Sequence, residues 1–160
     1  MPNYLRSIRQ SRWNTPDWLA PSPNQIQADA LKDLNTKSNL LSVYLAESPQ
    51  DIDHITIALA ATRENVQNLE YALFNDATFQ DIGIAISQSP GRTPDWTVNQ
   101  LHYDLGKLTA TQILAVATTV AKGEIRRKQS KDIGRGLRTA IKNGALDTGT
   151  INQTLLAKIQ

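Results

Sequence analysis

Three short apolar runs, at 40–46 (LLSVYLA), 69–74 (LEYALF) and 82–87 (IGIAIS), constrain this 160-residue chain more than any other feature. Each is short for a helix and rich in residues that suit a pleated, buried surface, so each reads as a β-strand. Helix-start signatures stand around them. Ser48-Pro49-Gln50-Asp51 puts serine where it caps, proline where its missing N–H costs nothing, and an acid beside the helix N-terminus. Ser22-Pro23-Asn24-Gln25 has the same form, and Ile26, Ala30 and Leu34 follow it at four-residue spacing.

Further helices are expected after Thr93-Pro94-Asp95-Trp96, after Thr109 with Gln112, and after Ser130. Val98, Leu101, Leu105 and Leu108 form a stripe on the first. Ile113, Leu114, Val116, Ala117 and Val120 leave the second apolar nearly all round, the mark of a buried helix. Asn143-Gly144 should stop the third, and 150–159 forms a last short helix. The helix after Pro49 is expected to end near Asn65, with one continuous helix to residue 74 as the alternative. Thr-Pro-Asp-Trp occurs at 15–18 and again at 93–96; since the flanks differ, it reads as one helix-start chemistry used twice.

The expected fold class is therefore mixed α+β. A small two- to three-stranded sheet with a right-handed crossover occupies the N-terminal half and packs on a mainly helical C-terminal half. Residues 1–22, with Pro16 and Pro21, read as an N-terminal arm, and 23–160 as a single globular domain. Hydrophobic residues are 40% and charged residues 20% of the chain, a globular balance. There is no cysteine, which excludes disulfides, thiol nucleophiles and cysteine-ligated zinc, and suits a reducing compartment. The longest apolar stretch, 113–121, falls far short of the ~20 residues that span a bilayer. The opening residues show no apolar core of a signal peptide. A cytoplasmic protein with no membrane partner, no cofactor and no metal is expected.

The formal charge of +2 hides a division. Residues 1–120 carry eight basic and twelve acidic side chains, whereas 121–160 carry nine basic and three acidic ones. Within the latter, Arg126 and Arg127 precede a predicted helix on which Lys131, Arg135, Arg138 and Lys142 recur at spacings of four, three and four, forming one stripe. Like charges at these spacings repel by a few tenths of a kcal/mol per pair, so an opposing anion would be favoured. Nucleic-acid phosphate, an acidic protein partner and the chain's own acidic stretch at 47–81, with seven acids against Arg63 alone, are the three candidates. A plainly solvated face is the bland alternative.

Asp95, Asn99 and His102 would share a helix face, a candidate polar site for a metal or a water, although no metal-binding spacing is present. Helix capping and loop hydrogen bonds account for the same residues. Asp51, Asp53 and His54 sit in a first turn, where acids belong for dipole reasons. Trp13 and Trp18, with nearby arginines, have the composition of a binding hot spot, or of a tail docked on its own domain. Gly134-x-Gly136 follows no strand and is no nucleotide-binding loop.

From these features the chain reads as a non-enzymatic binding or accessory module recognising a protein partner, or a second copy, through the Trp13/Trp18 arm or the basic helix. A nucleic-acid-binding protein using the basic C-terminal helix is the second reading. A hydrolase-like enzyme at Asp95, Asn99 and His102 is the third.

Overall fold

The computed structural model describes residues 2–13 and 25–159. Among the described residues there are six strands: β1 (Asn3–Ile8), β2 (Leu41–Ala46), β3 (Leu69–Asn75), β4 (Ala85–Gln88), β5 (His102–Gly106) and β6 (Ile125–Lys128). They form one sheet in the order β4-β5-β2-β1-β3-β6, and every neighbouring pair is antiparallel. The α-helices are α1 (Pro49–Ala60), α2 (Asp76–Asp81), α3 (Trp96–Asn99), α4 (Ala110–Lys122), α5 (Ser130–Lys142) and α6 (Gln153–Ile159). The 3-10 segments Gln10–Arg12 and Ala28–Leu34 lie between β1 and β2.

The mixed α+β character agrees with expectation, but the small sheet with a parallel crossover does not. The sheet has six strands, none of the described pairs is parallel, and the C-terminal half contributes β5 and β6 rather than helices alone. Residues 3–8 of the expected arm form β1, an inner strand between β2 and β3. Trp18 and the first Thr-Pro-Asp-Trp lie outside the described residues.

Period-2 alternation along inner strands supplies two cores, one on each face of the sheet. Tyr4 and Ile8 of β1 and Ala72 and Phe74 of β3 join Leu105, Val116 and Trp13 on one face. Leu5 of β1 and Leu69 and Tyr71 of β3 join Ile55, Ile133, Leu137 and Leu155 on the other. The first core packs α4, α2 and the Ala28–Leu34 segment against the sheet; the second packs α1, α5 and α6. Leu5, Phe74, Leu105 and Leu137 are among the fully buried side chains, each stabilising the fold by about 1.5–3 kcal/mol.

Local chemistry sets several boundaries as expected. Ser48 and Asp51 form a reciprocal capping box on α1, and Thr109 and Gln112 form one on α4. Gly144, at φ +70°, lets α5 stop at Asn143, with the Ala145 N–H donating back to the Ala140 carbonyl at 2.9 Å. Others differ. Ser130 is not a cap: its N–H donates to Asn68 Oδ1 at 2.8 Å, so α5 is opened by a side chain from another part of the chain. Nor does Thr93 cap the helix that follows it. Asp95 does, accepting from the N–H groups of Thr97 and Val98, and α3 ends at Asn99. Residues 102–106 then alternate as β5. The Leu101/Leu105/Leu108 spacing matched a helix, yet Leu105 faces one core while His102 faces the other side of the sheet. Helix α4 buries only Val116, Ala117 and Val120 and leaves Leu114 exposed, so it covers one face rather than filling a core.

Candidate functional site

The basic segment divides between two elements. On edge strand β6, Arg126 pairs with Glu124 at 3.1 Å, Arg127 with Glu70 at 2.7 Å, and Lys128 with Asp53 of α1. The acidic stretch 47–81 thus neutralises two of these three cations. Cations on an edge strand also hinder its pairing with another sheet. Helix α5 is different. Ile133, Gly134 and Leu137 bury one side, while Lys131, Arg135, Arg138 and Lys142 stay exposed on the outer side. Arg135 approaches Asp132 at 3.7 Å, a long contact between two exposed groups. Lys131, Arg138 and Lys142 have no ion-pair partner among the described residues.

Beside that row runs a groove of about 790 Å³ between α1 and α5. Ile52, Ile57, Tyr71 and Ala140 give it an apolar lining; Arg135, Thr139 and Asn143, at four-residue spacing on α5, form one wall. His54 lines the α1 side, and Asp95 and Thr97 line it from the start of α3. The helices approach closely because residue 136 is glycine: a Cβ there would come 2.8 Å from Ile57 Cγ1. Gly136 is therefore a packing device, whereas a Cβ at Gly134 would meet Val66 at an ordinary 3.5 Å. Burial pushes the Tyr71 phenol above its ordinary pKa, so at neutral pH it is a neutral hydrogen-bonding group. Three carboxylates (Asp53, Asp95, Asp132) and three basic groups (Arg127, Lys128, Arg135) line the groove, so its charge is balanced, and the unpaired cations Lys131, Arg138 and Lys142 lie outside its lining on the exposed side of α5.

Asp95, Asn99 and His102 do not converge. Asp95 Oδ1 accepts from Thr97 and Val98 N–H at 2.8 and 3.1 Å. Asn99 clamps Thr93, accepting from its N–H at 2.7 Å and donating to its carbonyl at 2.9 Å. His102, buried on β5, places Nδ1 2.8 Å from Ser89 Oγ and packs edge-on to Tyr44. Ser89 donates its single hydroxyl proton to Asp104 Oδ2 at 2.6 Å, so the imidazole Nδ1–H donates to serine. Serine, not histidine, stands in the middle of this chain, which is unlike a nucleophile activated by imidazole. Of the three expected residues only Asp95 borders the groove. Among the described residues no group of three or more acidic or histidine side chains is placed to hold a metal ion.

Trp13 is buried at 6% exposure, with its indole N–H donating to Asp33 Oδ2 at 2.8 Å. Asp33 also accepts from the Arg9 N–H at 2.8 Å and pairs with Arg12 at 2.5 Å, and its carbonyl accepts from Arg6 Nε and Nη2. One carboxylate therefore ties the N-terminal segment to the domain. The tryptophan the sequence did not single out is Trp96, 76% exposed between two groove-lining residues. The groove itself left no mark in the sequence: Ile57, Tyr71 and Thr139 are far apart in the chain.

The fold and groove define an antiparallel α+β sheet domain that carries a ligand-sized cleft on one helical face. No protein-family model matches the chain, and comparison with curated proteins and with solved structures gave no match either. Among the described residues no helix is long and apolar enough to cross a membrane.

Proposed function

We propose that the protein is a non-enzymatic binding module that recognises an acidic region of a protein partner through the exposed face of α5, in the cytoplasm. The observation that carries this reading is the contrast in pairing: all three β6 cations have carboxylate partners, whereas Lys131, Arg138 and Lys142 have none among the described residues. A repelling row left open is a small cost to the free protein that a ligand anion removes. Protein is favoured over nucleic acid by what lies next to the row. Asp53, Asp95 and Asp132 offset Arg127, Lys128 and Arg135 in the adjoining groove, so no net positive charge extends the row for a continuous phosphate backbone, while acidic side chains on a peptide are spaced.

The test compares binding of poly-glutamate and of duplex DNA to the native protein and two variants at low salt. Arg138→Glu with Lys142→Glu is expected to weaken poly-glutamate binding about tenfold or more, and Arg126→Gln, on β6 and outside the groove, to leave it unchanged. Equal losses from both variants would remove the reading, and tighter binding of DNA than of poly-glutamate would replace it with the nucleic-acid one.

A further inference from the structure

We infer that the groove between α1 and α5 takes one apolar side chain of the bound acidic segment, with Trp96 and the α5 cations as its two flanks. This rests on the proposed function and adds what kind of acidic segment is recognised. Three observations lead to it. The groove has an apolar lining formed by the edge of the second core: Ile57 and Tyr71 are members of that core, and Ile52 and Ala140 pack against it. Its charged lining is balanced, so what it adds to binding is burial of apolar surface rather than more Coulomb attraction. Trp96, 76% exposed, stands between the lining residues Asp95 and Thr97. An exposed tryptophan adjacent in sequence to two groove-lining residues has the composition of a binding hot spot.

The charge complementarity is specific in position. Lys131, Arg135, Arg138 and Lys142 follow one side of α5, and Arg135, Thr139 and Asn143 turn toward the groove. Arg135 belongs to both sets, so a carboxylate held by Arg135 has its neighbouring side chain over the groove. The cations fix where the segment lies, and the groove selects which segment is held. A purely acidic stretch leaves the cleft wet and gains only the salt-sensitive part of the energy.

The experiment uses the full chain and two dye-labelled synthetic peptides, one of glutamates around a central leucine and one with serine in place of the leucine, with oligothymidylate as a third probe. Affinities are read by fluorescence anisotropy at low and at physiological salt. The leucine peptide is expected to bind about tenfold tighter than the serine peptide. Thr139→Trp, which fills the groove from an exposed helix position, and Trp96→Ala, which removes the exposed flank, should each shrink that difference while leaving the salt-sensitive binding common to both peptides. Equal binding of the two peptides to the native protein overturns the groove inference and leaves the proposed function standing. Failure of both peptides to bind at low salt overturns the proposed function and the inference with it. Oligothymidylate binding tighter than either peptide assigns the face to nucleic acid and overturns both.

Discussion

Arg6 and Arg138 are the same side chain treated in opposite ways. Arg6, half-buried on β1, donates from Nε and Nη2 to the Asp33 carbonyl and from Nη1 to the Ser42 carbonyl, and burial pushes its guanidinium pKa down while Asp33 pulls it back up. Arg138, exposed on α5, has no partner among the described residues. Between these extremes lie the β6 cations, each held by one carboxylate at the surface. The comparison teaches that a cluster of basic residues in a sequence carries no single meaning. Near the N-terminus it is the clamp that seats β1 and Trp13; on β6 it is paired along a sheet edge; on α5 three of its members stay without an ion-pair partner among the described residues.

That gradient can be broken at each level. The largest effect is expected at the clamp. Asp33→Ala strands the Trp13 indole N–H, the Arg9 N–H and the Arg12 guanidinium, and should lower unfolding free energy by about 3–5 kcal/mol, as loss of a buried charge partner does. Urea denaturation followed by tryptophan fluorescence checks this. A loss below about 1 kcal/mol would reduce the clamp to an ordinary surface pair. At the edge strand, Glu70→Gln keeps an acceptor for the Gln10 N–H but loses the charge facing Arg127, and should cost about 0.5–1 kcal/mol, mostly absent at high salt. An effect that salt leaves unchanged would show that Glu70 acts by packing. On α5, Lys131→Gln with Lys142→Gln should stabilise the protein slightly, by a few tenths of a kcal/mol, as repulsion is relieved. Destabilisation beyond about 1 kcal/mol would mean that the row has an internal partner, and the contrast with Arg6 would vanish.

The elements legible in the sequence are those whose signal is local. Helices α1 and α4 announce themselves through capping boxes, α5 through its stop at Asn143-Gly144, and β2 and β3 through apolar runs bounded by polar residues. The strands that were missed have no such signal. β1 mixes Arg6 and Ser7 with Leu5 and Ile8, because Arg6 is satisfied by Asp33 and Ser42, 27 and 36 residues away. β5 carries Leu105, one of a set of leucines at helical spacing, but is pulled into the sheet by pairing with β2 and β4. β6 holds one apolar residue, Ile125, because an edge strand needs little more. The candidate site was half legible: the α5 row was visible as a spacing of charges, while the groove and Trp96 depend on how α1, α3 and α5 meet.

By itself the sequence determined where α1 and α4 begin and where α5 ends, that the runs behind β2 and β3 are strands, and that four cations share one side of a helix. These follow from capping chemistry and from the 3.6- and 2-residue periods, which act within a few residues. Only the tertiary structure decided that the sheet has six antiparallel strands, that Trp13 is internal and Trp96 is not, and which cations find carboxylates. Such outcomes turn on contacts between residues tens of positions apart, and a hydrogen bond or an ion pair exists only where the chain brings both partners to the same place.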